Sequence, residues 1–239
     1  MGKSLYSQRR GKGSPTFRNQ RKGEATSYYP LKVMIENPVL KGQIVDLIKE
    51  SGRNNILAKV LFENGIINYV IAPEGLFIGD DIVSGATNQV TVGNIVPLSY
   101  LPEGCPVFNI EREAGDGGKV VKAAGSYALL ESKDDKYATI KLPSGKTMIV
   151  PVNCRATIGC SAAGGRREKP LVKAGTAYHA ARAKTVKYWQ CRGVAKNACD
   201  HPFGGAQHHP GRSKSTSRNA PPGRKVGAIA SKRTGRRKK

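Results

Sequence analysis

The C-terminal segment of this 239-residue sequence lacks acidic residues. His201 to Lys239 contains eleven Lys or Arg and no Asp or Glu. Large apolar residues are also scarce there, so the segment cannot collapse on itself in water. A segment with charge of one sign needs a polyanion to neutralise it. The missing carboxylates therefore point to a polyanionic partner rather than to a small substrate.

Long apolar runs are also missing. No stretch reaches the length of a membrane-spanning helix, and the residues after Met1 do not resemble a signal peptide. The basic segments lack the Trp, Phe and Leu face that a helix needs to lie on an anionic membrane. We therefore expect a cytoplasmic protein with no membrane partner. In that compartment, an odd number of cysteines, five, argues against a disulfide framework.

Catalytic and metal-binding motifs are incomplete. Ser144-Gly145-Lys146-Thr147 ends like a phosphate-binding loop, but Ile140 stands where that motif needs its first glycine. Zinc sites usually present Cys-x-x-Cys pairs, and the sequence has none. The residues that could still supply zinc ligands are Cys154, Cys160, Cys191, Cys199 and His201. We expect neither zinc nor an enzyme; a zinc or cysteine hydrolase is the enzymatic alternative.

What the sequence does contain is segregated positive charge. The formal net charge is +23, from 40 basic and 17 acidic residues. Residues 31–160 carry thirteen basic and fourteen acidic residues, whereas 1–30, 161–200 and 201–239 have net charges of +6, +7 and +11. A near-neutral body with basic arms favours nucleic acid as the partner. A free-standing nucleic-acid-compacting protein with histone-like basic tails is the alternative that this charge leaves open.

The body, residues 31–159, is a series of short β-branched segments broken by turn residues. Asn64-Gly65 separates two such segments and predicts a hairpin, and Pro143-Ser144-Gly145 predicts a second. Strands at this spacing are typical of small barrels or sandwiches. We predict a mainly β protein with two tandem small barrels and a break near Gly85 to Pro102. The one good helix candidate is Thr176 to Lys187, and it is basic.

One cluster of motifs near the C-terminus consists of Arg192-Gly193-Val194-Ala195, Asn197 and Asp200-His201-Pro202-Phe203-Gly204-Gly205. Further motifs are Gly11-Lys12-Gly13-Ser14, Leu142-Pro143-Ser144-Gly145, Asn153-Cys154-Arg155-Ala156, Lys173-Ala174-Gly175 and Ala220-Pro221-Pro222-Gly223-Arg224-Lys225-Val226-Gly227. The cluster resembles the signature of one family, the universal large-subunit ribosomal protein called L-two in bacteria and L-eight in eukaryotes, and the further motifs have counterparts there. Phe203 and Arg233-Thr234-Gly235-Arg236 resemble the archaeal and eukaryotic branch. The chain departs from the family at Lys196, Ala198-Cys199 and Ala206, so the resemblance does not determine the backbone conformation of this loop.

The resemblance implies a division of the chain and a role. It implies an OB-like barrel at 31–90 and an SH3-like barrel at 91–165, between basic extensions at 1–30 and 166–239, the latter with one short helix near 176–187. The implied function is that of a structural constituent of the large ribosomal subunit, which binds rRNA and supports the peptidyl-transferase region and subunit association. The implied partners are large-subunit rRNA, neighbouring ribosomal proteins and the small subunit, with magnesium ions held by the rRNA rather than by a cofactor site.

The residues expected to contact RNA belong mainly to the extensions. Arg and Lys neutralise phosphates, histidine stacks on a base or donates to phosphate, and glycine lets the backbone approach closely. The expected RNA-binding residues are Arg9, Arg10, Lys12, Arg18, Arg21, Lys22, Arg155, Arg166, Arg167, Lys173, His179, Arg182, Lys184, Arg192, His201, Gly204, Gly205, Arg212, Lys214, Arg218, Arg224, Lys225, Arg233 and Arg236.

Overall fold

A computed structural model describes residues 2–18, 27, 29, 39–184 and 186–235. The chain divides into two compact units. We call residues 21–172 the barrel unit, and residues 1–20 together with 173–239 the arm unit. The arm unit thus combines the beginning and the end of the sequence.

The described residues of the first half of the barrel unit form four strands. They are β1 (Val39–Lys49), β2 (Ile56–Phe62), β3 (Ile67–Ile71) and β4 (Asp81–Gly85). β1 pairs antiparallel with both β2 and β4, and β2 pairs antiparallel with β3. Alternate residues of β1, beginning at Leu40, point into a core around Phe62 and Ile82. This alternation is the reason that these β-branched segments form half-buried strands.

The second half of the barrel unit contains six strands. They are β5 (Ile95–Pro97), β6 (Pro106–Phe108), β7 (Ala128–Lys133), β8 (Tyr137–Lys141), β9 (Thr147–Pro151) and β10 (Arg155–Ile158). Their order is β5-β10-β6-β7-β8-β9, and a parallel contact of Ser84 with Ile95 connects β4 to β5. A second core, which includes Leu98, Ile140 and Ala156, fills this half.

Both predicted hairpins are confirmed. Asn64-Gly65 lies between β2 and β3, with Leu61 opposite Ile67. In the second hairpin, Leu142 N donates to Lys146 O at 2.9 Å, and Gly145 has a φ of 78°, which favours glycine. Ser144-Gly145-Lys146-Thr147 is therefore a turn between strands rather than a phosphate-binding loop.

The two halves of the barrel unit share a small apolar cluster. Leu57 and Ile71 from the first half and Phe108 from the second form it, and all three are buried. Tyr29 reinforces this link, because its hydroxyl donates to Asn109 O at 2.6 Å while its ring belongs to the first core. Burying side chains of this size contributes roughly 1.5–3 kcal/mol each. The halves therefore stabilise each other.

The elements that the structure describes in the arm unit are short. They are α1 (Tyr6–Gly11), α2 (Ala174–Ala183), 3-10 turns at Pro15–Phe17 and Gly193–Ala195, and the parallel strands β11 (Ser215–Thr216) and β12 (Ala228–Ile229). The helix predicted near 176–187 therefore begins at Ala174 and ends at Ala183. Within the described ranges, Leu5 and Phe203 are the buried hydrophobic side chains of this unit. No helix among the described residues has the length and apolarity needed to cross a bilayer.

Candidate nucleic-acid interface

The arm unit concentrates the charge of the chain. Its sequence ranges hold 22 Lys or Arg residues and a single acid, Asp200. That acid pairs with Lys3, whose Nζ lies 3.0 Å from Asp200 Oδ1, and Lys3 N also donates to Cys199 O at 2.7 Å. These contacts attach the N-terminal segment to the C-terminal one. The positive charge of the unit therefore far exceeds its negative charge.

His201 lies in a loop that is held by hydrogen bonds between its own residues. Its Nδ1 accepts a hydrogen bond from Phe203 N at 3.0 Å, so the neutral ring carries its proton on Nε2, which is a donor. Burial, together with the positive charge of Lys196, lowers the pKa of His201 below its usual value. A general base is normally oriented by an acceptor such as a carboxylate, not by a backbone N–H. The geometry favours a structural or RNA-contacting histidine.

Gly204 and Gly205 are packed against their own backbone. Gly205 N donates to Lys196 O at 3.0 Å, and Gly205 has a φ of 79°. A Cβ at Gly204 would overlap the carbonyl oxygens of Lys196 and Asn197. Both positions thus need glycine for the loop itself. Their contact with RNA stays a prediction.

Most of the cations predicted to contact RNA are exposed. On the arm unit these are Arg9, Arg10, Lys12, Arg18, Lys173, Arg182, Lys184, Arg192, Arg212, Lys214, Arg218, Arg224, Lys225 and Arg233, and His179 is exposed with them. Arg166 and Arg167 are exposed on the barrel unit. Arg21, Lys22 and Arg236 lie outside the described residues. Exposure leaves the described cations accessible to phosphate, and their contact with RNA remains a prediction.

Arg155 requires a correction. We predicted it as an RNA contact, but its side chain is fully buried and its Nη2 lies 2.8 Å from Glu111 Oε1. Its guanidinium carbon also lies 5.1 Å from the ring centre of Tyr29. A fully buried guanidinium cannot reach a phosphate. Arg155 is a structural residue of the barrel unit.

The candidate zinc ligands are not assembled into a site. Among the residues that the structure describes, no group of three or more His, Cys, Asp or Glu is placed to hold a metal. Cys154 is buried in the second core, and burial raises the pKa of its thiol to about 11. Cys191 and Cys199 are exposed on the arm unit, and all five cysteines are free thiols.

Sequence reasoning missed an aromatic component of the interface. Tyr6, Phe17, Tyr178 and Tyr188 line one groove of the arm unit, beside several of its cations. The available signal was the close succession of basic and aromatic residues, such as Lys187-Tyr188. Basic grooves with aromatic walls are typical of proteins that bind single-stranded nucleic acid.

A near-neutral β body joined to a unit of 22 cations and one acid is typical of a nucleic-acid-binding protein. Two family models match the chain. "Ribosomal Proteins L2, RNA binding N-terminal domain" covers residues 3–84, and "Ribosomal Proteins L2, C-terminal domain" covers residues 91–225.

Relatives from methanogens match the chain over its length. "Large ribosomal subunit protein uL2" of Methanothermobacter thermautotrophicus is 49% identical over 242 residues, covering 100% of both chains. The protein of the same name from Methanocaldococcus jannaschii is 49% identical over 243 residues with the same coverage. That from Methanococcus vannielii is 47% identical, covering 99% of this chain and 100% of its own.

The chain therefore belongs to the L2 family of ribosomal proteins. The predicted family, its archaeal-type branch and the mainly β fold with OB-like and SH3-like barrels are confirmed. As a member of that family it is a structural, RNA-binding constituent of the ribosome rather than an enzyme. Its cytoplasmic location, within the ribosome, follows from the same membership.

Proposed function

We propose that this protein binds large-subunit rRNA mainly through its arm unit. The observation that carries the proposal is the charge of that unit, which has 22 basic residues and one acid, already paired with Lys3. Each phosphate that a cation neutralises releases condensed counterions, so such a unit gains affinity from RNA without reading its sequence.

The barrel unit has the complementary role in this proposal. Residues 31–160 carry nearly balanced charge, so this part of the chain is expected to add a rigid footprint rather than electrostatic affinity. Proteins recognise RNA helices mostly through shape, phosphates and 2′-hydroxyl groups. The predicted boundaries, 31–90 and 91–165 for the barrels, remain part of the proposal.

The finer role concerns the place of the protein in the subunit. We expect the arm unit to support the peptidyl-transferase region and subunit association, with contacts to neighbouring ribosomal proteins and the small subunit. The proposal is supported by the loop at residues 200–205, because hydrogen bonds between its own residues fix its backbone conformation. A loop with a fixed conformation can hold bound RNA in one geometry.

A ribosome-association experiment tests the proposal. The test variant replaces Arg212, Lys214 and Arg218 of the arm unit by Gln, and the control replaces Lys41, Lys136 and Lys146 of the barrel unit, which are also exposed. Each tagged full chain is followed through a gradient of large subunits after a moderate-salt wash. We expect the arm variant to be released and the control to be retained. Equal retention of both variants would overturn the assignment of affinity to the arm unit.

A further inference from the structure

One groove of the arm unit combines aromatic rings with positive charge. Its volume is about 910 Å³, which falls in the range of roughly 300–1,000 Å³ typical of ligand sites. Its aromatic lining is Tyr6, Phe17, Tyr178 and Tyr188. The chain has nine Tyr, five Phe and one Trp, so about a quarter of its aromatic residues face this groove. Such a concentration needs an explanation.

The rings are held as two edge-to-face pairs. Tyr6 and Phe17 have their centres 5.0 Å apart at 63°, and Tyr178 and Tyr188 have theirs 5.8 Å apart at 86°. Lys187 connects the two sides, because its Nζ lies 5.7 Å from the ring centre of Tyr6. These contacts fix the ring orientations before a ligand arrives, which lowers the entropy cost of binding.

Packing within the protein does not explain why these aromatic side chains lie at the groove. Tyr178 is 44% exposed and Tyr188 is 45% exposed, so much of their apolar surface faces water. A core aromatic would bury nearly all of that surface. Large apolar surface left exposed within a concave site is typical of a site that a ligand covers.

The charge of the groove restricts the ligand. Arg9, Lys12, Arg18, Arg182 and Lys187 line it, and its described lining contains no carboxylate. The ligand must therefore be anionic and must also carry flat apolar faces. A nucleotide has both properties, since its phosphates pair with the cations and its base stacks on aromatic rings.

We propose that this groove holds an unstacked nucleobase of RNA, with the flanking phosphates on the cations around it. The proposal rests on the proposed RNA binding and adds a specific requirement for a base that is not paired in a helix. An acidic peptide is the other chemistry that cations and rings could accept. RNA is favoured because Tyr178 and Tyr188 leave much of their aromatic surface exposed in the groove, and stacking of a base covers such surface.

The test uses two RNA probes and the full chain. One probe is a fully paired hairpin, and the other carries a single bulged 2-aminopurine, whose fluorescence falls when it stacks. We expect the bulged probe to bind on the order of tenfold more tightly, the magnitude typical of one base–aromatic stack, and to be quenched on binding. A poly-glutamate peptide serves as competitor, and it is expected to compete no better with the bulged probe than with the paired one.

Variants separate stacking from charge. Tyr6→Leu and Tyr188→Leu should remove the preference for the bulged probe while leaving the salt dependence unchanged, because no charge is lost. Tyr6→Phe and Tyr188→Phe keep the ring face and should keep the preference, which assigns the effect to the ring rather than to the hydroxyl. Circular dichroism spectra of the Leu variants that match the unmodified chain exclude unfolding as the cause. Tyr137→Leu, at a residue of the barrel unit that is 54% exposed, is the matched control and should have no effect.

The two probes distinguish a groove that does not bind a base from a protein that does not bind RNA. Equal binding of both probes by the unmodified chain, with steep salt dependence, would overturn the groove assignment and leave RNA binding intact. Selective displacement of the bulged probe by poly-glutamate would also overturn it, in favour of an acidic peptide. Weak, salt-independent binding of both probes would overturn the groove and the RNA-binding function together.

Discussion

Arg155 and Glu111 form an ion pair that is completely enclosed within the barrel unit, with Nη2 2.8 Å from Oε1. The same carboxylate accepts hydrogen bonds from Arg155 N at 2.9 Å and Gly117 N at 3.1 Å. In return, Glu111 N donates to Arg155 O at 2.9 Å. The pair joins segments 44 residues apart in sequence and fixes the start of β10 in the second half of the barrel unit.

Loss of Arg155 should strongly destabilise the barrel unit. Arg155→Met leaves Glu111 as a buried, unpaired carboxylate, which typically costs about 3–5 kcal/mol of unfolding free energy. Urea denaturation of the full chain measures this loss. The control is Lys141→Met, which breaks an exposed pair with Glu131 at 3.2 Å and should cost at most about 1 kcal/mol. Similar losses in both variants would contradict the role given to the buried pair.

The buried thiol of Cys154 should make stability fall at alkaline pH. Burial raises the pKa of Cys154 in the folded state to about 11, whereas an unfolded cysteine ionises at about 8.5. Because the folded state holds its proton longer, the stability from this group is complete below the unfolded pKa. It is lost as pH rises toward 11, by up to about 1.4 kcal/mol per unit.

Urea unfolding between about pH 8 and 11 tests this alkaline loss. Cys154→Ala should unfold with a weaker dependence on pH than the unmodified chain, whatever its stability at neutral pH. Cys191→Ser, at an exposed cysteine, should keep the dependence of the unmodified chain. If Cys154→Ala and the unmodified chain lose stability in parallel, the thiol is not the responsible group.

Gly204→Ala should disturb the loop that contains His201. The added Cβ meets two backbone carbonyl oxygens rather than a flexible side chain, and such overpacking typically costs about 1–3 kcal/mol. Hydrogen exchange at Gly205 N, which donates to Lys196 O, should become faster. Gly175→Ala in α2 meets nothing within 4 Å and should leave that exchange rate unchanged. An unaltered rate in Gly204→Ala would refute the close packing.

A single cation of the arm unit should contribute the same binding free energy whatever the sequence of the RNA. Arg224→Gln removes one exposed charge, so the slope of log affinity against log salt should fall by about one unit. Filter binding to rRNA fragments of different sequence measures both slope and selectivity. Lys146→Gln, an exposed cation of the barrel unit, should leave the slope nearly unchanged. A loss confined to one RNA sequence would instead indicate base-specific contact at Arg224.

Local patterns in the sequence were sufficient to predict two hairpins of the body. Asn64-Gly65 and Pro143-Ser144-Gly145 predicted both hairpins because turn chemistry and alternation act over a few residues. Within β2, Val60 and Phe62 lie on one face and are buried in the first core. Leu57 lies on the opposite face and is buried in the shared cluster, as the alternation of side chains along a strand requires.

Contacts between distant residues could not be predicted in this way. Arg155 is predicted as an RNA contact because arginine neutralises phosphates. No periodicity of the sequence shows that a buried carboxylate, Glu111, pairs with it from 44 residues earlier. The ion pair of Lys3 with Asp200 connects opposite ends of the chain, and local sequence patterns do not predict it either. The aromatic groove also depends on the approach of Tyr6 and Phe17 to Tyr178 and Tyr188.

The salt dependence of binding to large-subunit rRNA tests the central claim most directly. The account assigns affinity to an arm unit with 22 basic residues and one acid, so neutralisation of about ten phosphates predicts a log–log slope near −9 for duplex contacts and about −7 for single strands. The affinity of the full chain should therefore fall by several orders of magnitude between about 50 and 200 mM salt. A slope close to zero over that range would contradict the account.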